Sequence, residues 1–186
     1  MFMQLGPIRY QFTTKQRLEL QNINHYIFPR FTQFIEFHSE EMTLNEIYHK
    51  LIHDQMRNQQ IITDIKEVLK ENRTPLLITK FKEHARFLYE QLKDIGDNVF
   101  LLVGGKGRKI NQQLRDNLKN VDNHESVILV ATAQYVGEGF NFPRLDTLFL
   151  TVPISVESNV EQYSGRLHRD FDEKKMLLFM IILIRM

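Results

Sequence analysis

The residues best suited to chemistry lie in Gln162-Tyr163-Ser164-Gly165-Arg166-Leu167-His168-Arg169. Gln162, Gly165, Arg166 and Arg169 stand at spacings of three, four and seven, which on a helix puts them on one face. Two guanidiniums one turn apart repel unless an anion sits between or above them. Arginine suits bidentate contact with phosphate and stabilises the charge of a phosphoryl-transfer transition state. Gly165 costs a helix about 1 kcal/mol relative to alanine, so it serves close approach rather than helix stability. The plain alternative is a solvated helix with two surface arginines.

A second stretch, Ala131 to Pro143, follows a buried apolar run. Gly137 and Gly139 let backbone approach a ligand, and Thr132 offers a hydroxyl. The loop N–H groups can hold a phosphate, and Asn141 can bond a ribose hydroxyl. A crossover loop with glycines for turn geometry has the same composition. Lys80, Lys82, Lys106, Arg108 and Lys109 fall at or just after strand ends. They suit a basic rim for a phosphate backbone, and equally five solvated charges.

Other patterns carry less. His49 and His53 are an i, i+4 pair without a third ligand, so no metal site is expected and a surface role is. Phe28, Phe31, Phe34 and Phe37 suit packing better than base stacking. Gly104-Gly105-Lys106-Gly107 lacks the Ser or Thr of a nucleotide phosphate loop and reads as a turn. No G-x-x-x-x-G-K-[ST] and no Asp-Glu-x-His box occur in the chain.

The elements that must position these residues follow from apolar periodicity. Ile8 to Phe12 alternates as a half-buried strand does, and His25 to Phe28 forms an apolar run stopped by Pro29. Thr43 with Glu46 predicts a capping box. An interrupted helical stripe, Ile47, Leu51, Met56, Ile61, Ile62, Ile65 and Leu69, then runs to Asn72. Strands are predicted at 76–79, 99–103, 127–132, 145–152 and 176–184. Helices are predicted at 83–95, 109–118 and 156–167. Short apolar strands alternating with helices mean a parallel sheet covered on both faces, with ligands at the strands' carboxyl ends.

The 186 residues suffice for one core plus an extension. A hydrophobic content of 42% and a charged content of 25% are those of a soluble globular protein. With a net charge of +1, nucleic-acid contact must come from a local patch. The absence of cysteine excludes disulfides and thiolate zinc sites and fits a cytoplasmic setting. The start lacks the pattern of a signal peptide, and the longest apolar run, Met176 to Ile184, is too short to span a bilayer.

Taken together, these residues resemble the second RecA-like domain of superfamily 2 DEAD/DEAH-type helicases and translocases, nearest to the restriction-enzyme (Res subunit) branch. Leu76 to His84 looks like motif IV, Ala131 to Pro143 like motif V and Gln162 to Arg169 like motif VI. The resemblance covers about residues 60 to 175. It implies a three-layer α/β fold, with a central, mainly parallel sheet, helices on both faces and an N-terminal strand/helix extension. It also implies a linker segment over 1–42 and a C-terminal motor domain over 43–186.

By the same resemblance, Arg166 and Arg169 are arginine fingers acting with Gln162 on ATP. Gly139, Asn141 and Gly165 lie against the nucleotide, and Thr79, Lys80, Lys106, Thr132 and Gly137 contact nucleic-acid backbone. The family more often has Asp where Asn141 stands. ATP with Mg would bind only with an N-terminal RecA-like domain, in cis or in trans, so the chain alone is expected to be inactive. The partner would be DNA, with RNA also open. A truncated, non-catalytic interaction module is the alternative, and a flavodoxin-like nucleotide-binding protein is a third reading without an adequate phosphate loop.

Such domains usually close on a strand of alternating apolar and polar residues. Met176 to Ile184 has no such alternation, and another reading frame of AT-rich codons can encode a better match. A frameshift that replaced the original C-terminus is therefore expected.

Overall fold

A computed structural model describes residues 24–32, 34, 41–105, 107–137, 142–153, 163, 167, 174 and 176–184, with backbone alone at 108, 109, 137 and 184. Strand β1 (Asn24–Thr32) precedes helices α1 (Leu44–His53) and α2 (Gln55–Lys70). Then come β2 (Pro75–Thr79), α3 (Lys82–Leu92), β3 (Asn98–Leu102), α4 (Gly107–Lys119), β4 (Val127–Thr132), the short α5 (Ala133–Gly137), β5 (Thr147–Leu150) and β6 (Met176–Ile184).

These strands form one six-stranded sheet in the order β1-β6-β5-β2-β4-β3, with every neighbouring pair parallel. Its central strands are apolar along their whole length because both faces are covered. Leu77, Ile128, Val130 and Phe149 pack against Ile61, Ile65, Ala85, Leu88 and Leu92 of α2 and α3. Leu76, Ile78, Leu129 and Leu148 pack on the other side with Leu118, Tyr135, Val136, Tyr163 and Leu167. A smaller cluster, Phe34, Tyr48, Leu51, Ile52 and Val152, forms between α1 and the segment after β5. The fold is the three-layer α/β arrangement expected.

Several boundaries differ from the expected ones for physical reasons. The helical stripe from Ile47 is two helices, broken at Asp54, whose carboxylate accepts from the Arg57 amide at 2.6 Å and caps α2. The restart changes the phase: Met56, expected inward, is 67% exposed, whereas Arg57 is 1% exposed. Helix α1 starts with the expected capping box of Thr43 and Glu46. Helix α2 ends before Asn72, which takes a left-handed φ of 56°. Strand β1 runs through Pro29, because an edge strand needs no ladder bond from that missing N–H. Residues 24–32 of the expected linker segment thus sit in the same sheet as β6. Residues expected as loop after β4 include α5, which buries Tyr135 and Val136. Helix α3 stops at Leu92 rather than Ile95, and β5 keeps only four residues of the expected strand at 145–152. The expected strand at 8–12 lies outside the described residues.

Met176 to Ile184 forms β6, between β1 and β5. It pairs along nine residues with β1 and four with β5. An interior strand position is where a continuous apolar run is at home.

Candidate functional site

The strand order sets β5, β2, β4 and β3 side by side, so their carboxyl ends make one rim. Thr79 and Thr132 close β2 and β4 as direct register partners. Lys80 follows Thr79, and α5, ending at Gly137, follows Thr132. Beyond β3, Gly105 takes a φ of 93°, and its backbone lies beside the Lys82 ammonium, 3.5 Å from where a Cβ would sit. A side chain there would be strained. The structure thus brings together Thr79, Lys80, Thr132 and Gly137 of the expected nucleic-acid contacts. Gln162, Gly165, Arg166, Arg169, Gly139, Asn141 and Lys106 lie outside the described residues. Tyr163 and Leu167, interleaved with them in sequence, are helical and buried.

The two threonines are interior groups. Thr79 is 1% exposed, and its hydroxyl lies 2.8 Å from His84 Nδ1. His84 Nε2 lies 3.0 Å from Asn58 Oδ1, while Asn58 Nδ2 donates to the Ile52 carbonyl at 2.8 Å. The amide bond to Ile52 fixes the Asn58 oxygen toward the imidazole. His84 therefore donates from Nε2 and accepts the Thr79 hydroxyl at Nδ1, the neutral tautomer. Burial pushes the imidazole down to about 3, helped by the nearby Arg57 and His53. Any contact Thr79 makes with a ligand would come from its backbone. Thr132 is also buried.

Beneath the rim lies Arg57. Its Nη2 donates to the Thr151 carbonyl just past β5. Its Nε and Nη1 have no hydrogen-bond partner among the described residues. Burial lowers the guanidinium to about 10, against the raising effect of Asp54. Thr151 is itself tied to β2, since its amide donates at 3.0 Å and its hydroxyl at 2.9 Å to the Ile78 carbonyl. Sequence reasoning missed Arg57 and Asn58, and gave His84 no role beyond its place in the motif IV stretch. The usable signal was a polar pair at the third and fourth residues of a capped helix, beside an apolar stripe that fails at Met56.

Lys80 is exposed and stands over aromatic rings: its ammonium is 4.4 Å from the Tyr48 centroid and 5.6 Å from that of Phe81. His49 and His53 are exposed as expected, and His49 faces Glu83 at 3.4 Å. Phe34 is buried, whereas Phe28 and Phe31 are exposed on the edge strand. Phe37 lies outside the described residues. Among the described residues, no group of three or more His, Asp or Glu could hold a metal ion. No described helix is long and apolar enough to cross a membrane.

This sheet and its helix layers form a RecA-like α/β fold, which solved helicase domains share. The fold matches T4 UvsW with a TM-score of 0.61 at 16% identity, over 86% of this chain and 32% of that one. It matches the DEAD-box helicase Mss116 bound to single-stranded RNA with a TM-score of 0.60 at 16% identity, over 89% and 28%. In sequence, the chain is 34% identical over 123 residues to transcript termination protein A18 of fowlpox virus, covering 64% of this chain and 26% of the relative. It is 32% identical over 120 residues to the protein of that name from vaccinia virus (strain Ankara), covering 63% and 24%. The chain thus spans about a quarter of the length of these curated relatives. No protein-family model matches the chain.

Proposed function

We propose that this chain is the C-terminal motor domain of an ATP-dependent nucleic-acid helicase or translocase, with residues 43–186 as the motor fold and 1–42 leading into it. The observation that carries this reading is the shared rim: the carboxyl ends of β2 and β4 meet at the Thr79–Thr132 register pair, and the next residue after Thr79 is the exposed Lys80. A nucleic-acid backbone would lie along this rim, against Lys80, Lys106 and the main chain at Thr79, Thr132 and Gly137. ATP with Mg would bind between this domain and an N-terminal RecA-like domain, in cis or in trans. On this side, Gly139, Asn141 and Gly165 would face the nucleotide. Arg166, Arg169 and Gln162 would stabilise charge on the transferred phosphoryl group.

The transcript-termination name of the poxvirus relatives supports DNA or a nascent RNA as the partner of the parent protein. The restriction-type branch and a cytoplasmic setting belong to the same reading. A titration of a labelled, mixed-sequence single-stranded oligonucleotide, as DNA and as RNA, tests it. Binding should be weak, independent of sequence and steeply weakened by salt. Tight, salt-insensitive preference for one sequence would overturn it.

A further inference from the structure

Tyr48 and Phe81 form a corner of two rings, with centroids 6.1 Å apart and planes 61° from parallel. The Lys80 ammonium sits in that corner, 4.4 Å from the Tyr48 centroid. Tyr48 is 4% exposed, and its hydroxyl donates to the Pro153 carbonyl at 3.1 Å, so its ring is held from both ends. Lys80 itself is exposed. Among the described residues it has no carboxylate within ion-pair distance, and the rings leave its charge unneutralised.

A free lysine side chain spreads over many rotamers, and ordering it opposes binding. An aromatic face attracts an ammonium without cancelling its charge. A ring fixed by burial and a hydrogen bond therefore selects one ammonium position before any ligand arrives. The lysine that carries it is the residue directly after Thr79, at the carboxyl end of β2. We infer that Tyr48, with Phe81, is a positioning residue that holds Lys80 poised for a phosphate of the bound nucleic-acid backbone. This inference rests on the nucleic-acid reading of the rim.

The test is a double-mutant cycle read by oligonucleotide binding at several salt concentrations. Lys80→Ala should lower the salt slope by about one. Tyr48→Leu should weaken binding about twofold to fivefold, and should have no further effect in the Lys80→Ala background. Tyr48→Phe, which keeps the ring, should bind as the parent does. Should Tyr48→Leu not fold, pentafluorophenylalanine at position 48 keeps the ring's shape and reverses its charge distribution, and it should show the same loss relative to Tyr48→Phe. Equal losses from Tyr48→Leu in both backgrounds, or a fluorinated variant that binds as Tyr48→Phe does, would overturn the inference. So would a Lys80→Ala variant with unchanged affinity and salt slope, although the rim reading then survives if the parent still binds. If the parent binds no oligonucleotide at low salt, the rim reading fails and the inference falls with it.

Discussion

The Thr79 hydroxyl donates to His84 Nδ1 at 2.8 Å, five residues ahead in the chain, and this bond turns the threonine away from the rim. The last residue of β2 thus locks α3 to the sheet, and the next residue, Lys80, is the one left facing solvent.

Acid should loosen this lock. Burial and the neighbouring Arg57 and His53 hold His84 at about 3 in the fold, below its ordinary 6.5. The unfolded chain therefore binds more protons between those values. The stability is fully present above about pH 6.5 and is lost as pH falls toward 3, by at most about 5 kcal/mol. Urea midpoints measured across this range should drop in the parent and fall less steeply in His84→Gln. Parallel curves would refute the assignment.

Thr79 and Lys80 should separate stability from binding. Thr79→Val leaves the imidazole acceptor unpaired and should cost about 1–3 kcal/mol of stability, while the salt dependence of oligonucleotide binding stays the same. Lys80→Ala should leave the urea midpoint within about 0.5 kcal/mol of the parent, as an exposed surface substitution does. A loss of binding from Thr79→Val in a fully folded protein would place its hydroxyl on the ligand after all.

Arg73 ties β2, β5 and β6 together at their amino ends, opposite the rim. Its Nε donates to Thr147 Oγ1 at 2.7 Å, and its Nη2 donates to the carbonyls of Asp146 at 3.2 Å and Met176 at 3.3 Å. Its Nε also lies 3.7 Å from the Asp146 carboxylate. Removing a buried guanidinium from such a set leaves its partners unpaired. Arg73→Ala should cost about 3–5 kcal/mol, read as a lowered denaturation midpoint. A cost below about 1 kcal/mol would mean that water replaces the side chain.

The catalytic half of the proposal is tested only with a second motor domain. The chain alone should show no ATP turnover, because it lacks a phosphate cradle and a Mg-binding box. In a reconstituted two-domain protein, Arg166→Ala or Arg169→Ala should lower kcat by about 10³–10⁵, with little change in nucleic-acid affinity. A variant that keeps near-parental turnover would remove that arginine from the finger role.

The sheet was legible because its strands are short apolar runs broken by helices of clear period, and Thr43 with Glu46 marked a helix start unambiguously. Residues placed by a change of phase were harder to read. Asp54 restarts the helix, so Met56 turns out and Arg57 turns in, against the polarity of both side chains. Hydrophobic patterning assigns a buried guanidinium to the surface unless its partners are known, and the Thr151 carbonyl is 94 residues away. Pro29 looked like a strand end because sequence does not reveal which strand lies at an edge. Lys80 and Thr132 drew notice from their position at the ends of apolar runs, and Thr79 through the resemblance to motif IV. That both threonines face inward depends on His84 and on packing.

The pairing of β1 with β6 also orders events in time. Thr32 bonds the Leu183 carbonyl across 151 residues of sequence, so the outer edge of the sheet is closed by a very long loop. Synthesis from the N-terminus makes β1 well before β6, its only described neighbour in the sheet. Until β6 emerges, Ile27, Phe28 and Phe31 have no sheet to join. Contacts of such separation form slowly, and the β1 amides should be among the last protected in a pulse-labelling refolding experiment. During biosynthesis this strand is therefore the part of the chain that most needs shielding, by the ribosome or by a chaperone, from pairing with the wrong neighbour.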